Sequence, residues 1–232
     1  MAYYDNVNNT LLDLVEPSAR RVCEFGCGAG ALARAIRARV QGVHYTGIEL
    51  MPDQLAQAKD VLDVGIHRNL DMLTTWSDDI ELEAALPPES CDHIIFGDVL
   101  EHLYDPERVL AQAVTRLAPG GRALVCIPNV QHWSVFVQLI RGNWPMADSG
   151  LFDRTHIRWF TLDDMVSLLQ VAGLSVESIH PRIFDHEKGL SVMEDLEALA
   201  LNLGMDPDIL IQRGLPLQYV LVGRKASLSL LS

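Results

Sequence analysis

The chain has 232 residues, 49% of them hydrophobic and 21% charged, which fits a globular domain and excludes a disordered or fibrous protein. Asp and Glu outnumber Lys and Arg by 31 to 18, a net charge of −13, and no run of four basic residues occurs. Because nucleic-acid binding depends on clustered basic side chains, nucleic acid and anionic membrane surfaces are disfavoured as partners.

The cysteines and the first residues of the chain indicate the cellular compartment of the protein. Cys23, Cys27, Cys91 and Cys126 form no C-x-x-C pair. The opening residues MAYYDNVNN have no positive stretch ahead of an apolar run, and no apolar run approaches the ~18 residues that span a bilayer. We therefore expect a reduced, cytoplasmic protein without a signal peptide or membrane insertion.

Strand-like and helix-like segments alternate through the first half of the chain. Apolar residues at Leu32, Ile36 and Val40 share one helix face, and Pro52 suits the first position of a helix. The predicted strands are 21–25, 43–50, 72–76, 93–96 and 122–127, and the predicted helices are 31–40, 52–62 and 107–117. This order predicts a parallel sheet with helices on both faces.

The pattern changes after residue 128. A helix is predicted over 130–140, followed by a polar loop to 160, and Thr161 begins a capping-box-like T-L-D-D helix start. Two further strands, 174–179 and 218–222, flank a longer helical insert over 184–214. We predict one domain over residues 1–232, with a substrate-side lid at 130–160 and the insert as a helical cover.

A glycine loop follows the first predicted strand as E-F-G-C-G-A-G over residues 24–30. Glycines between a strand and a helix let backbone approach a ligand closely, and the helix N-terminus offers free N–H groups. The second strand ends at Glu49, whose carboxylate could accept two hydrogen bonds from a ribose diol of any nucleotide. The loop alone does not exclude a nicotinamide cofactor.

The segments VCEFGCGAG, GIEL, DHIIFGDVLEHLYDP and LAPGGRALVCIPN together resemble the class I S-adenosylmethionine-dependent methyltransferases. More narrowly, the chain is similar to small-molecule enzymes near the ubiquinone-biosynthesis O-methyltransferases. The stretch from PNVQHW to GLFDRTHIRWFT resembles a subgroup associated with polysaccharide and glycosyltransferase gene clusters. The resemblance implies a Rossmann-like, doubly wound, seven-stranded sheet that is mostly parallel and has a C-terminal antiparallel strand.

The resemblance also implies a cofactor site for S-adenosylmethionine. By position in the motifs, Glu24 would fix the loop and the cofactor amino group, Glu49 the ribose, and Asp79 the adenine, with Asp78 one residue away. The full set of implied cofactor residues is Glu24, Gly26, Cys27, Gly28, Glu49, Leu50, Asp79, Ile80, Gly97, Asp98 and Val99.

Methyl transfer to a sugar hydroxyl needs a group that removes the proton, and His102 is the leading candidate for that base. A packing role for His102 stays open. Residues expected to face the acceptor, either a small molecule or a glycan, are His132, Trp133, Arg154, His156 and Arg158. We expect O-methylation of a sugar or related hydroxyl.

A metal-free reaction is expected, because Asp153 and His156 lie three residues apart without a convincing third ligand. Two other functions stay open at this point: a non-catalytic partner that binds S-adenosylmethionine, and a nicotinamide-dependent oxidoreductase. The sequence also leaves a homodimer open.

Overall fold

Seven strands form the centre of the protein: β1 (Arg21–Phe25), β2 (His44–Glu49), β3 (Val64–His67), β4 (Cys91–Gly97), β5 (Leu117–Pro128), β6 (Leu174–Ile183) and β7 (Pro216–Lys225). The structure is a computed structural model that describes residues 7–227. The strands join one sheet in the order β3-β2-β1-β4-β5-β7-β6. Strands β1 to β5 pair in parallel, and β7 is antiparallel to both β5 and β6. The prediction of a mostly parallel sheet with an antiparallel C-terminal strand is confirmed.

Helices cover both faces of the sheet. They are α1 (Asn9–Leu14), α2 (Ala31–Arg39), α3 (Pro52–Ala58), α4 (Ile80–Ala85), α5 (Pro106–Arg116), α6 (Trp133–Ile140), α7 (Leu162–Val171), α8 (His186–Asp195), α9 (Glu197–Asn202) and α10 (Pro207–Gly214). One core lies between the sheet and α4, α5 and α7, and includes Leu82, Leu110 and Met165. The core on the opposite face includes Leu11 of α1 and Ile36 of α2. Coverage of both faces explains why the inner strands are continuous apolar runs.

The predicted third strand at 72–76 is wrong. Residues Leu70–Met72 and Trp76–Asp78 are single 3₁₀ turns, and the true third strand is Val64–His67. Strand β3 lies at the sheet edge and buries Ile66 alone, so it lacks the apolar run that a central strand shows. Trp76 is fully buried against Phe25 at 5.3 Å between ring centroids, which gives its segment a strand-like apolar pattern without a strand.

The last part of the chain adds a helical layer. Residues 186–214 fold as α8, α9 and α10, and a small third core joins Trp133, Met193 and Leu215. The capping box is present, because Thr161 and Asp164 exchange side-chain-to-backbone hydrogen bonds at the start of α7. Among residues 7–227 no helix is both long and apolar enough to cross a membrane. Residues 1–6, part of the segment searched for a signal peptide, lie outside the described range.

Candidate active site

The site lies where the strand order changes direction. Strand β1 has β2 on one side and β4 on the other, so the connections that follow β1 and β4 lead to opposite directions across the sheet. In open α/β sheets ligands bind at this point, beyond the carboxyl ends of the strands. The predicted glycine loop, Glu49 and the segment 97–102 all lie at this edge.

The glycine loop packs tightly against the loop after β4. Gly26 has φ +73°, and a Cβ atom added there would lie 2.4 Å from Cγ2 of Val99, so a larger residue fits only if Val99 moves. The Cys27 side chain is buried, and its Sγ lies beside Gly47 of β2. Any contact between Cys27 and a ligand in the crevice therefore comes from its backbone.

Glu49 is held rigidly at the end of β2. Its carboxylate accepts hydrogen bonds from the N–H of Gly28 at Oε2 and of Met51 at Oε1, each 2.8 Å long. The residue is 8% exposed, and each carboxylate oxygen can accept a further bond. Leu50 beside it is 53% exposed and offers an apolar surface. This arrangement suits a ligand that presents a diol next to an aromatic base.

Glu24 is a second carboxylate beneath the loop, on β1. It is buried and accepts a hydrogen bond of 2.8 Å from the hydroxyl of Tyr45. Burial raises the pKa of Glu24 from 4.5 to about 8, the charge of Glu49 acts in the same direction, and the Tyr45 bond opposes it. Glu24 is therefore mostly protonated at neutral pH.

This raised pKa predicts a pH-dependent stability. Glu24 holds its proton in the folded protein up to about pH 8 but loses it near pH 4.5 when unfolded, so the folded state loses stability as pH rises between these values. Glu24→Gln cannot ionise and should lose less stability over that range. A change of 1 kcal/mol shifts the Tm of a chain this size by about 2–4 °C. The drop in Tm from pH 5 to pH 8 should therefore be several degrees larger in the wild type than in Glu24→Gln.

The exposed Glu107→Gln serves as the control, because Glu107 lies in the first turn of α5 away from this core. If the Tm of wild type and of Glu24→Gln changed with pH in the same way, Glu24 would not hold its proton at neutral pH in the folded protein.

Asp79 and Ile80 do not follow a strand. Asp79 caps α4 by accepting from the N–H of Leu82, and forms an ion pair with Arg68 at 2.5 Å. Ile80 is 86% exposed. Their role was inferred for residues that follow a third strand at 72–76, and since that strand is at Val64–His67, their placement at the adenine stays a prediction. The polar residues that directly follow β3 are Arg68, which forms that ion pair, and Asn69, whose side chain accepts from the N–H of Asp71.

Asp98 follows β4 with a strained backbone. Its φ is +56°, a conformation that non-glycine residues rarely adopt and that often marks a ligand site. Its Oδ1 accepts from Nε2 of Gln218 on β7 at 2.5 Å, and burial raises the pKa of the carboxyl group. Gly97 and Val99 flank it, as the motif implies. The sequence gives no signal for the contact with Gln218.

Glu101, His102 and His156 converge beside Asp98. Glu101 is 1% exposed, and neither carboxylate oxygen has a hydrogen-bond partner among residues 7–227. Oε1 of Glu101 lies 3.8 Å from Nε2 of His156, and the rings of His102 and His156 lie 4.8 Å apart. The backbone carbonyl of Glu101 also accepts from the N–H groups of Ile157 and Arg158, 3.0 Å each, which fixes the lid segment against the end of β4.

Burial sets the charge states in this cluster. It raises the pKa of the Glu101 carboxyl well above its ordinary value, and the negative charge of Asp98 raises it further. Burial also lowers the pKa of His156, as does the charge of protonated His102. A neutral imidazole at His156 and an unpartnered carboxyl at Glu101 therefore face each other in a space shielded from water.

The other predicted acceptor residues are dispersed. His132 caps α6 and is buried, and burial lowers its pKa to about 4. Trp133 belongs to the small core under α8, so its side chain does not form an exposed wall of an acceptor site. Arg154 forms an ion pair with Asp148 at 2.6 Å. Arg158 instead donates to the backbone carbonyl of Tyr104 and lines a cavity of about 420 Å³ beside Trp159 and Phe160 of the lid and Ser167 and Leu168 of α7.

Comparisons with known proteins agree with this geometry. A family model described as a methyltransferase domain matches residues 2–179. The chain is 27% identical to the ubiquinone biosynthesis O-methyltransferase of Aeromonas salmonicida, over 69% of this chain and 65% of the relative. It is 35% identical to the enzyme of that name from Xylella fastidiosa, over 50% of this chain and 44% of the relative. The matched segments thus span less than two thirds of each of these relatives.

Solved structures share the fold. A SAM dependent methyltransferase from Archaeoglobus fulgidus superposes with a TM-score of 0.60 at 16% identity, over 90% of this chain and 87% of that one. Phosphoethanolamine N-methyltransferase 2 of Haemonchus contortus, in complex with S-adenosyl-L-methionine, superposes with a TM-score of 0.61 at 16% identity, over 95% of this chain and 53% of that one. At these identities the likeness concerns the fold alone.

Proposed function

The chain belongs to the family of S-adenosylmethionine-dependent methyltransferase domains, and from that premise we propose that it methylates a hydroxyl oxygen of a small molecule or glycan. S-Adenosylmethionine, when bound, supplies a methyl group on a sulfonium that is already electrophilic. The protein then has to hold the cofactor, align the hydroxyl and remove its proton.

The residues at the crevice fit this cofactor. The rigid carboxylate of Glu49 suits the ribose hydroxyls, and the exposed Leu50 beside it suits the adenine. The loop from Gly26 to Gly28 brings backbone close to the methionine portion, as does the strained Asp98 from the other side. Glu24, on β1 just before the loop, is held in place by the hydroxyl of Tyr45.

The observation that carries the proposal is the orientation of His102. Its Nδ1 lies 3.1 Å from both the backbone carbonyl and the hydroxyl oxygen of Thr155. That hydroxyl donates its hydrogen to Asp153 at 2.6 Å, so both oxygens accept from His102 and Nδ1 carries the hydrogen. Nε2 therefore keeps its lone pair and can take a proton. His102 lies three residues past Val99, next to the proposed position of the methyl group. This suits removal of a hydroxyl proton during transfer.

For the acceptor, a sugar hydroxyl is the expectation we retain. Trp144 and Trp159 lie 4.8 Å apart between ring centroids, and Trp159 lies 5.8 Å from His156, so an aromatic cluster that could stack on a sugar ring lies beside this histidine. A phenolic hydroxyl is the second candidate, favoured by the ubiquinone-pathway names of the relatives. The cytoplasmic location and the homodimer stay predictions.

A panel of acceptors tests the proposal. Nucleotide sugars and oligosaccharides form one arm, catechol-type phenols the second, and primary amines the third, with release of S-adenosylhomocysteine as the readout. We expect stoichiometric release in one of the two hydroxyl arms. Transfer confined to amines would contradict O-methylation. Binding of S-adenosylhomocysteine without turnover in any arm would support a non-catalytic partner instead, and binding of NADH would support an oxidoreductase.

A further inference from the structure

Two polar side chains of the last two strands lie at the carboxyl edge of the sheet. Gln218 of β7 faces Pro128, the last residue of β5, on one side and Arg182 of β6 on the other. Val220, two residues further along β7, belongs to the core under α1. Because side chains alternate between the faces of a strand and paired residues share a face, Gln218 and Arg182 lie side by side on the α1 face.

Gln218 connects Arg182 to Asp98. Its Oε1 accepts a hydrogen bond from Nη1 of Arg182, and its Nε2 donates to Oδ1 of Asp98 at 2.5 Å. A guanidinium group can only donate, so it faces the amide oxygen and leaves the amide nitrogen for Asp98. Among residues 7–227 neither Asp98 nor Arg182 has a direct ion-pair partner. The amide of Gln218 therefore bridges two opposite charges.

Arg182 is held in this position by its other neighbours. Its guanidinium carbon lies 5.3 Å from the ring centroid of Phe184, a cation–π contact, and Nη1 lies 4.0 Å from Sγ of Cys126. Burial raises the pKa of the Asp98 carboxyl group, whereas the hydrogen bond from Cys126 and the positive charges of Arg182 and protonated His102 lower it. Arg182 thus favours the ionised form of a carboxyl group that burial disfavours.

One oxygen of Asp98 stays available to a ligand. The hydrogen bonds that its side chain accepts, from Nε2 of Gln218 and Sγ of Cys126, both end on Oδ1. Within the described part of the chain no residue donates to Oδ2. This oxygen can accept hydrogen bonds from a ligand, and an ammonium group supplies both the donors and the opposite charge.

We propose that Gln218 and Arg182 are positioning residues that orient the Asp98 carboxylate and keep it ionised as the counter-ion of the α-ammonium group of the cofactor. This inference rests on the placement of the methionine portion beside Asp98 in the proposed function. Gln218 fixes Oδ1, so that Oδ2 is left for the ammonium group, and Arg182 acts through its charge across the amide. The hairpin of β6 and β7 then governs affinity for the amino acid part of the cofactor and leaves affinity for the adenosine part unaffected.

Calorimetry with two ligands on the full chain tests this role. One ligand is S-adenosylhomocysteine, and the other is its analogue with hydrogen in place of the amino group, which keeps the carboxylate. We expect the wild type to bind S-adenosylhomocysteine at least about tenfold more tightly than the analogue, the effect of one charge-assisted hydrogen bond. Gln218→Leu and Arg182→Met should each lose most of this preference, with weaker binding of S-adenosylhomocysteine and unchanged binding of the analogue.

Two control variants separate charge from shape and position. Arg182→Lys keeps the positive charge, so it should keep most of the preference that Arg182→Met loses. Arg224→Met removes an arginine from the other end of β7, where Arg224 lies 3.8 Å from Glu177, and it should keep the wild-type preference. Melting curves of all four variants show whether the sheet is intact.

The outcomes that would overturn the inference differ from one another. A wild-type preference retained in both Gln218→Leu and Arg182→Met would remove these residues from the site and leave the cofactor assignment standing. Equal weakening of both ligands would show a contact with the carboxylate or a weakened fold in place of an effect on the ammonium group. Wild type that binds neither ligand would count against the proposed function itself, and the inference would fall with it.

Discussion

Replacing His102 by alanine should lower kcat for methyl transfer to a hydroxyl by a factor of about 10²–10⁴, the usual contribution of general acid–base catalysis. The reason is the free Nε2 of His102, which the carbonyl of Thr155 leaves with its lone pair at the edge of the crevice. The affinity for S-adenosylhomocysteine should stay close to that of wild type, because the proposed cofactor contacts lie elsewhere. Steady-state kinetics and calorimetry on the same preparation check both values.

The comparison that isolates this effect is His44→Ala, which removes a histidine from the amino end of β2. A loss of cofactor affinity or an early melting transition in His102→Ala would make His102 a structural residue. Unchanged kcat would remove it from the reaction, and His132, His156 or an acidic acceptor would then have to account for proton removal.

Replacing Glu49 by alanine should raise the Kd for S-adenosylhomocysteine at least about tenfold. Each charge-assisted hydrogen bond to a ribose hydroxyl contributes about 1.5–3 kcal/mol, and the substitution removes two. The variant also leaves the N–H groups of Gly28 and Met51 without their acceptor, which loosens the glycine loop. Isothermal titration calorimetry gives the affinity change.

One variant separates the charge of Glu49 from its shape, and a second serves as a control. Glu49→Gln keeps the size and one acceptor oxygen, so it should fall between wild type and alanine. Asp53→Ala removes an exposed carboxylate from the first turn of α3 nearby and should leave the Kd unchanged. Equal affinity in wild type and Glu49→Ala would show that the ribose is not held by Glu49.

Most of the sheet could be predicted from the sequence because its inner strands are buried on both faces. Strand β1 occupies the predicted residues 21–25, and β2 ends at Glu49 as expected. The prediction of β3 was wrong because an edge strand with a single fully buried residue, Ile66, has no apolar run. The buried Trp76 gives residues 72–76 an apolar pattern typical of a strand. Trp76 is buried because it packs against Phe25, a tertiary contact that the local sequence does not reveal.

The proposed cofactor residues follow from motif position, whereas the contacts around them could not be predicted. The bonds from Gly28 and Met51 to Glu49 agree with the expected placement of that carboxylate. The hydrogen bond from Gln218 to Asp98 depends on a strand 120 residues away. Such long-range pairs follow from the fold, and a single sequence carries no signal for them.

The search for metal ligands in the sequence shows the same limit, and the metal-free reaction stays a prediction. It considered Asp153 and His156, which are close in sequence, and found no third ligand. The fold instead brings His156 to Glu101 and His102, and Asp153 accepts from the backbone N–H and the hydroxyl of Thr155. Side-chain clusters that join distant segments become visible only when the fold is known.

The most direct measurement is the identity of the atom that receives the methyl group. S-Adenosylmethionine labelled with ¹³C in its methyl group is incubated with the chain and the acceptor that turns over, and the product is examined by NMR. The account predicts a methyl carbon with the chemical shift of an O-methyl ether, whose formation is strongly reduced in His102→Ala. An N-methyl or C-methyl signal, or O-methyl formation at an undiminished rate in His102→Ala, would contradict it.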